Sequence, residues 1–230
     1  MNQVLTKGII LSRTDFGEAD RILTVLTPDQ GKLRLIAKGV RKVKSKLAGG
    51  IELFSVSQIS FIPGRGEIGT LTSTRLEKHF GTIVNDINRT MQGYDWLKLI
   101  NRVTEDMPGP EYFDVLAHVL EGLDDATLDA ALIQLWLYMQ LLKLAGHTPN
   151  LQTDESDNKL DVNEKYNFDL ENMGFIVQAN GPFSADHIKL LRLAIGLGSP
   201  GGLRQVKDAE TVLGKCLQLA MNMVGRFIRI

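Results

Sequence analysis

Cysteine is almost missing from this chain: Cys216 is the only one in 230 residues. A lone thiol excludes an intramolecular disulfide and any zinc site assembled from several thiolates. The first residues lack the basic start and long apolar run of a secretory signal, so a cytoplasmic, nucleoid-associated protein is expected. The most apolar stretch, 130–145, is broken by Gln134, Gln140 and Lys143 and falls short of the roughly 18 to 20 apolar residues that span a bilayer. It reads as a buried helix, and no membrane association is expected. Histidine is scarce too. His79, His118, His147 and His187 stand far apart, in neither an H-x-x-x-H nor an H-E-x-x-H arrangement, so no metal is expected. The spacing G-x-x-x-x-G-K-[ST] of a phosphate-cradling loop is absent. Gly64 to Gly69 does spell G-x-G-x-x-G, but the following Thr70-Leu71-Thr72-Ser73-Thr74 is β-branched and strand-like, where a pyrophosphate needs a helix N-terminus. The chain therefore reads as a protein without cofactor or catalytic residue, not an enzyme.

The net charge of −1 conceals a division. Residues 1–80 carry 13 Lys and Arg against 7 Asp and Glu, whereas residues 81–230 carry 13 against 20. A positive field attracts polyanions, and an acidic remainder limits nonspecific wrapping and faces other proteins. The basic part is rich in Val, Ile, Thr and Phe between Gly, Pro and Asp turn signals, and five strands are expected: Thr6 to Arg13, Arg21 to Thr27, Lys32 to Gly39, Ile51 to Ile62 and Glu67 to Arg75. Pro28-Asp29-Gln30-Gly31 and Pro63-Gly64-Arg65-Gly66 close two hairpins. Five short strands suggest a closed barrel, for which the OB-fold is the usual solution.

After Phe80 the period lengthens to that of helices. Ile83, Ile87, Met91, Tyr94, Leu97, Leu99 and Val103 mark one face of a first helix, Tyr112 to Leu123 a second, and Thr127 to Gly146 a third, with Thr127 as its N-cap and Gly146 as its stop. An exposed acidic loop is expected over Asn150 to Lys165. A small hairpin follows, pairing Tyr166 to Asp169 with Gly174 to Val177, and then two helices, Ser184 to Ile195 and Asp208 to Phe227. The fold class is thus α+β: an OB-fold nucleic-acid-binding domain over 1–80 and a helical bundle over 81–230, with an irregular insertion near 150–180.

The segment Lys38-Gly39-Val40-Arg41-Lys42-Val43-Lys44-Ser45-Lys46 crowds five cations into nine residues between two strands. Like charges that close repel unless an anion neutralises them, and a nucleic-acid backbone is the natural anion. Lys38, Arg41, Lys42, Lys44 and Lys46 are the first candidates to bind it. Arg13, Lys32 and Arg34, on neighbouring strands, extend the patch, and Arg65 stands at a hairpin tip. The alternative is a merely solvated charged loop. Aromatics able to stack on bases are few: residues 1–80 offer only Phe16, Phe54, Phe61 and Phe80, mostly expected in the barrel core. Binding should accordingly be salt-sensitive and weakly sequence-selective.

Several stretches together resemble the RecO family of bacterial recombination mediators: Gly8-Ile9-Ile10-Leu11, Gly17-Glu18-Ala19-Asp20-Arg21-Ile22, Leu26-Thr27, Gly31-Lys32-Leu33, Ala37-Lys38-Gly39-Val40-Arg41-Lys42, Leu53-Phe54 and Leu141 to Leu151. The resemblance implies an OB-fold followed by a helical domain, binding of single- and double-stranded DNA, strand annealing, and work with RecR and single-stranded-DNA-binding protein to load RecA. The acidic C-terminal tail of that last protein would need a basic-rimmed apolar pocket in the helical domain, with Lys143, Lys189, Arg192 and Arg204 as candidates for its rim. Many members of the family place four zinc-binding cysteines after the Pro-Asn-Leu segment. Here Gln152 to Gln178 contains none, so zinc does not carry over. The rival reading is an RNA- or ribosome-associated OB module using the same basic loop.

Overall fold

The computed structural model describes residues 3–104 and 107–228. The chain divides into two compact units, Met1–Ala126 and Thr127–Ile230. In the first, five strands, β1 (Val4–Phe16), β2 (Asp20–Leu26), β3 (Lys32–Ala37), β4 (Ser55–Ile62) and β5 (Ile68–His79), close into a barrel in the order β1-β2-β3-β5-β4. All pairs are antiparallel except β3 with β5, which run parallel over Arg34 to Ile36. This is the five-stranded OB arrangement, in which closure removes the exposed edges that a flat sheet would leave.

Alternation along these strands sends Ile10, Leu23, Val25, Leu35, Ile59, Phe61 and Leu71 into one core, joined by Val40 and Ile51 from the connection between β3 and β4. The fourth strand begins at Ser55, not Ile51. Residues 48–50 form a 3₁₀ turn instead, and Ile51 is buried as a plug of the barrel rather than a member of its ladder.

Two helices complete the first unit, α1 (Ile87–Val103) and α2 (Glu111–Asp124). A 3₁₀ turn occupies Ile83–Asn85, so α1 starts at Asp86, whose carboxylate accepts from the N–H groups of Asn88 and Arg89 at 2.8 and 3.1 Å. The face that α1 buries also differs from the periodic reading. Gly93, Trp96, Leu97 and Ile100 are buried, while Ile87, Met91 and Tyr94 are exposed. Glycine at 93 explains the rotation: a Cβ there would stand 2.7 Å from Phe54 Cε1 and 3.2 Å from Leu123 Cδ2, so the helix approaches its neighbours at this point more closely than a side chain permits.

The second unit is built on α3 (Ala130–Leu144), which packs against α4 (Ala185–Gly196) and α5 (Ala209–Phe227). Its N-cap is Asp129 and not Thr127; the Asp129 carboxylate accepts from Ala131 N–H at 2.8 Å. At its other end Gly146 takes φ +78°, and His147 N–H returns to Leu142 O at 2.8 Å, the left-handed stop that glycine supplies without steric cost. The two polar side chains buried in α3 are satisfied by the end of α4: Trp136 Nε1 donates to Leu197 O at 2.9 Å, and Gln140 Nε2 to Ala194 O at 2.9 Å. The hairpin β6 (Tyr166–Asp169) and β7 (Gly174–Val177) carries an aromatic cluster in which Tyr166, Phe168 and Phe183 set their rings edge-on to Phe175, at centroid distances of 5.9, 5.0 and 5.8 Å.

The stretch 150–165 is more ordered than an acidic composition suggests. Leu151 and Asp154 are buried. Asp154 accepts from Ser156 N–H and Asn158 N–H, both at 2.9 Å, and its own N–H donates to Asn158 O at 2.8 Å. Burial raises the affinity of this carboxyl for its proton, but the bonds from Asn158 and Ser156 outweigh that and hold it below the usual aspartate range. No described helix is long and apolar enough to cross a membrane.

Candidate nucleic-acid interface

The connection from Lys38 to Lys46 leaves β3 as a series of tight turns, with Lys42 N–H on Gly39 O at 3.1 Å and Ser45 N–H on Lys42 O at 3.0 Å. It is fastened to the turn between β1 and β2. Arg41 N–H donates to Ala19 O at 2.9 Å, and Gly39 N–H to the Asp20 carboxylate at 2.7 Å. These bonds fasten the start of the loop, at Gly39 and Arg41. Lys38, Lys42, Lys44 and Lys46 are exposed, and none has an ion-pair partner among the described residues.

The guanidiniums nearby are differently placed. Arg41 lies 3.5 Å from Asp15, which also receives Arg21 Nε at 2.9 Å. The hydrogen bond from Arg21, helped by the charges of Arg41 and Arg13, holds the Asp15 carboxyl below the usual range. Arg13 reaches the Glu52 carboxylate at 2.9 Å, and Arg34 is 3.7 Å from Glu67. Pairs this exposed are weak, on the order of 1 kcal/mol or less, and a phosphate can displace them. Lys32 is committed elsewhere: its amine donates to Asn101 O at 3.0 Å and Thr104 O at 2.6 Å, placing a cation at the C-terminal end of α1. Only the fold shows this, because β3 and the end of α1 are some 70 residues apart in sequence. Arg65 stands exposed at the β4–β5 tip, with no ion-pair partner among the described residues.

Three of the four early phenylalanines, Phe54, Phe61 and Phe80, are buried, but only Phe61 belongs to the barrel core, and Phe54 packs instead against Gly93 and Tyr94 of α1. Phe16 is not buried. It closes β1 beside the basic loop and is exposed, a feature that composition did not suggest. In the second unit the four cations considered for a pocket rim are not brought together. Lys189 and Arg192 line one cavity of about 310 Å³ with Leu160, Val162 and Ile188. Arg204 lines another of about 380 Å³, and Lys143 is exposed at the end of α3.

The residues present do not fit zinc. The turn at 152–158 is closed by the hydrogen bonds of Asp154, and no group of three His, Cys, Asp or Glu is placed to hold a metal among the described residues. Cys216 is buried, which pushes its thiol up to about 12, far from the thiolate a metal requires.

A closed five-stranded barrel with a cationic loop, followed by helices, defines an OB-fold protein of α+β class. Residues 1–80 match the family described as Recombination protein O N terminal, and residues 84–219 the family Recombination protein O C terminal. A DNA repair protein RecO of Dehalococcoides mccartyi strain 195 is 34% identical over 97% of this chain and 89% of its own. One from Desulfatibacillum aliphaticivorans is 33% identical over 66% of this chain and 60% of its own. A third, from Roseiflexus sp., is 36% identical over 64% and 51%. The chain belongs to the RecO family of DNA repair proteins.

Proposed function

We propose that this chain is a recombination mediator that binds single- and double-stranded DNA, anneals complementary strands, and assists RecA loading together with RecR and single-stranded-DNA-binding protein. The observation that carries this reading is the cluster of Lys42, Lys44 and Lys46, held on a hydrogen-bonded loop without protein anions to neutralise it. Annealing by this route uses no catalytic residue. Cations that neutralise two strands lower their mutual repulsion, and base pairing supplies the driving free energy. Lys38, Arg41 and Arg65 add charge from the barrel's surface loops, and Arg13 and Arg34 add it from the strands. For the acidic tail of single-stranded-DNA-binding protein, the cavity lined by Lys189 and Arg192 with Val162 and Ile188 is the candidate, although Asp161 and Asp186 line it too and Arg192 Nε is bonded to Leu151 O at 2.6 Å, so its charge is mixed and not a basic rim.

The test is an annealing assay with complementary and mismatched oligonucleotides. The wild type should accelerate formation of the matched duplex, and a protein with Arg41, Lys42, Lys44 and Lys46 all changed to alanine should not. Preference for structured RNA over DNA in competition would overturn the proposal in favour of an RNA-binding module.

A further inference from the structure

Of the nine phenylalanines in the chain, seven are buried, Phe227 is half-buried, and Phe16 stands 51% exposed. Isolated exposed apolar side chains are ordinary on a protein surface. What sets Phe16 apart is its place. It is the last residue of β1, paired with Asp20 across the β1–β2 turn, and the basic loop is bonded to the residues on both sides of it. Arg41 reaches Asp15 at 3.5 Å and Gly17 O at 3.5 Å, its N–H bonds Ala19 O at 2.9 Å, and Gly39 N–H bonds Asp20 at 2.7 Å. A second apolar side chain, Val43, is fully exposed between Lys42 and Lys44 in that loop. The patch thus combines a phenyl ring with cations suited to phosphates.

We infer that Phe16 stacks on an unpaired base and so gives this interface a preference for single-stranded over double-stranded DNA. The inference rests on the DNA-binding reading above and goes beyond it. In a duplex both faces of every internal base are covered by neighbours, leaving the ring nothing to stack on, whereas the phosphates remain available to the lysines. In a single strand each base offers a free face. Phe16 shares a face of the sheet with its cross-strand partner Asp20, whose carboxylate holds the start of the basic loop through Gly39 N–H, so the ring stands on the side from which that loop leaves.

The experiment measures binding of a labelled oligothymidylate and of a blunt duplex of equal length across a salt series. The proteins are wild type, Phe16→Ala, Phe16→Trp, and a variant with Lys42, Lys44 and Lys46 changed to alanine. Phe16→Ala should weaken single-strand binding about 5- to 100-fold, the range for removal of one stacking partner, with duplex affinity little changed. Its dependence of log affinity on log salt should equal the wild type's, since every cation that meets a phosphate is still present. Phe16→Trp should restore single-strand affinity, and its emission should be quenched on binding against the background of the buried Trp96 and Trp136. The lysine variant should weaken both DNA forms and flatten both slopes. If Phe16→Ala leaves single-strand affinity unchanged while the lysine variant weakens it, the stacking role is wrong and the DNA reading stands. Equal weakening on both DNA forms by Phe16→Ala also overturns it. A wild type that binds neither form overturns the DNA reading and this inference together.

Discussion

His187 shows what one buried side chain can impose on the helical unit. Its Nδ1 accepts the Ser184 N–H at 3.1 Å, capping the start of α4, which leaves the ring proton on Nε2. That atom is buried without a hydrogen-bond partner among the described residues. Burial, then the charges of Lys215 and Lys165 against the weaker opposing charge of Asp186, lowers the pKa of His187 from its ordinary 6.5. Unfolded chains take up the proton as pH falls below about 6.5, while the folded chain resists it, so stability is full above that pH and declines below it until the folded pKa is reached. Urea melts at pH 7.5 and 5.5 should show a lower midpoint at 5.5. His187→Gln, which keeps a capping-box side chain, should narrow the difference; an undiminished difference would assign it to other groups.

At the level of elements, two features yield opposite expectations for stability. Where Gly93 of α1 meets Phe54 and Leu123, an added methyl gains helix propensity of about 1 kcal/mol but overpacks the interface at a cost of about 1 to 3 kcal/mol. Gly93→Ala should therefore lower stability by up to about 2 kcal/mol in denaturant melts, and a stabilised variant would mean that Phe54 yields readily. The Lys38 to Lys46 loop should behave otherwise, since its cations are exposed. Changing Arg41, Lys42, Lys44 and Lys46 to alanine should leave circular dichroism and the melting midpoint nearly unchanged. Salt titrations should show the slope of log affinity against log salt falling by up to about 0.7 to 0.9 for each phosphate no longer neutralised. An unaltered slope in the folded variant would leave this loop a solvated charge run, with Arg13 and Arg34 the next candidates.

For the whole molecule the informative question is where the chain can be cut. The family matches divide near residue 80, but α1 and α2 belong with the barrel in one compact unit, with Lys32 bonded to the end of α1 and Gly93 against Phe54. A fragment of residues 1–126 should fold and retain DNA binding. A fragment of residues 1–80 should be less stable, because Phe54 is stripped of the helical face that covers it. Comparing the two by thermal melting and DNA binding tests this, and equal stability would make the barrel self-sufficient. Treatment of the full protein with a strong chelator should not shift its melting midpoint, because Asp154 closes by hydrogen bonds the turn at 152–158. A large downward shift would reveal a structural metal.

The barrel was legible because the enrichment of a run in Val, Ile, Thr and Phe, and the turn residues that bound it, are local properties. Five strands and the hairpin turns at 28–31 and 63–66 follow from runs rich in Val, Ile, Thr and Phe between Pro, Gly and Asp turn signals, whereas the β1–β2 turn after Phe16 was not foreseen, and Gly146 ends α3 as its left-handed conformation requires. The crowding of cations at 38–46 was legible for the same reason, since charge density along a chain needs no fold to be counted. Tertiary structure decided what depends on neighbours distant in sequence. It turned α1 so that Gly93 and Trp96, rather than Met91 and Tyr94, face inward, and it bound Lys32 to carbonyls about 70 residues away. It also left Phe16 exposed beside the basic loop while burying Phe54, Phe61 and Phe80. A side chain's type fixes what it can do, but whether a phenyl ring or an amine is free to do it depends on which surfaces the fold brings against it.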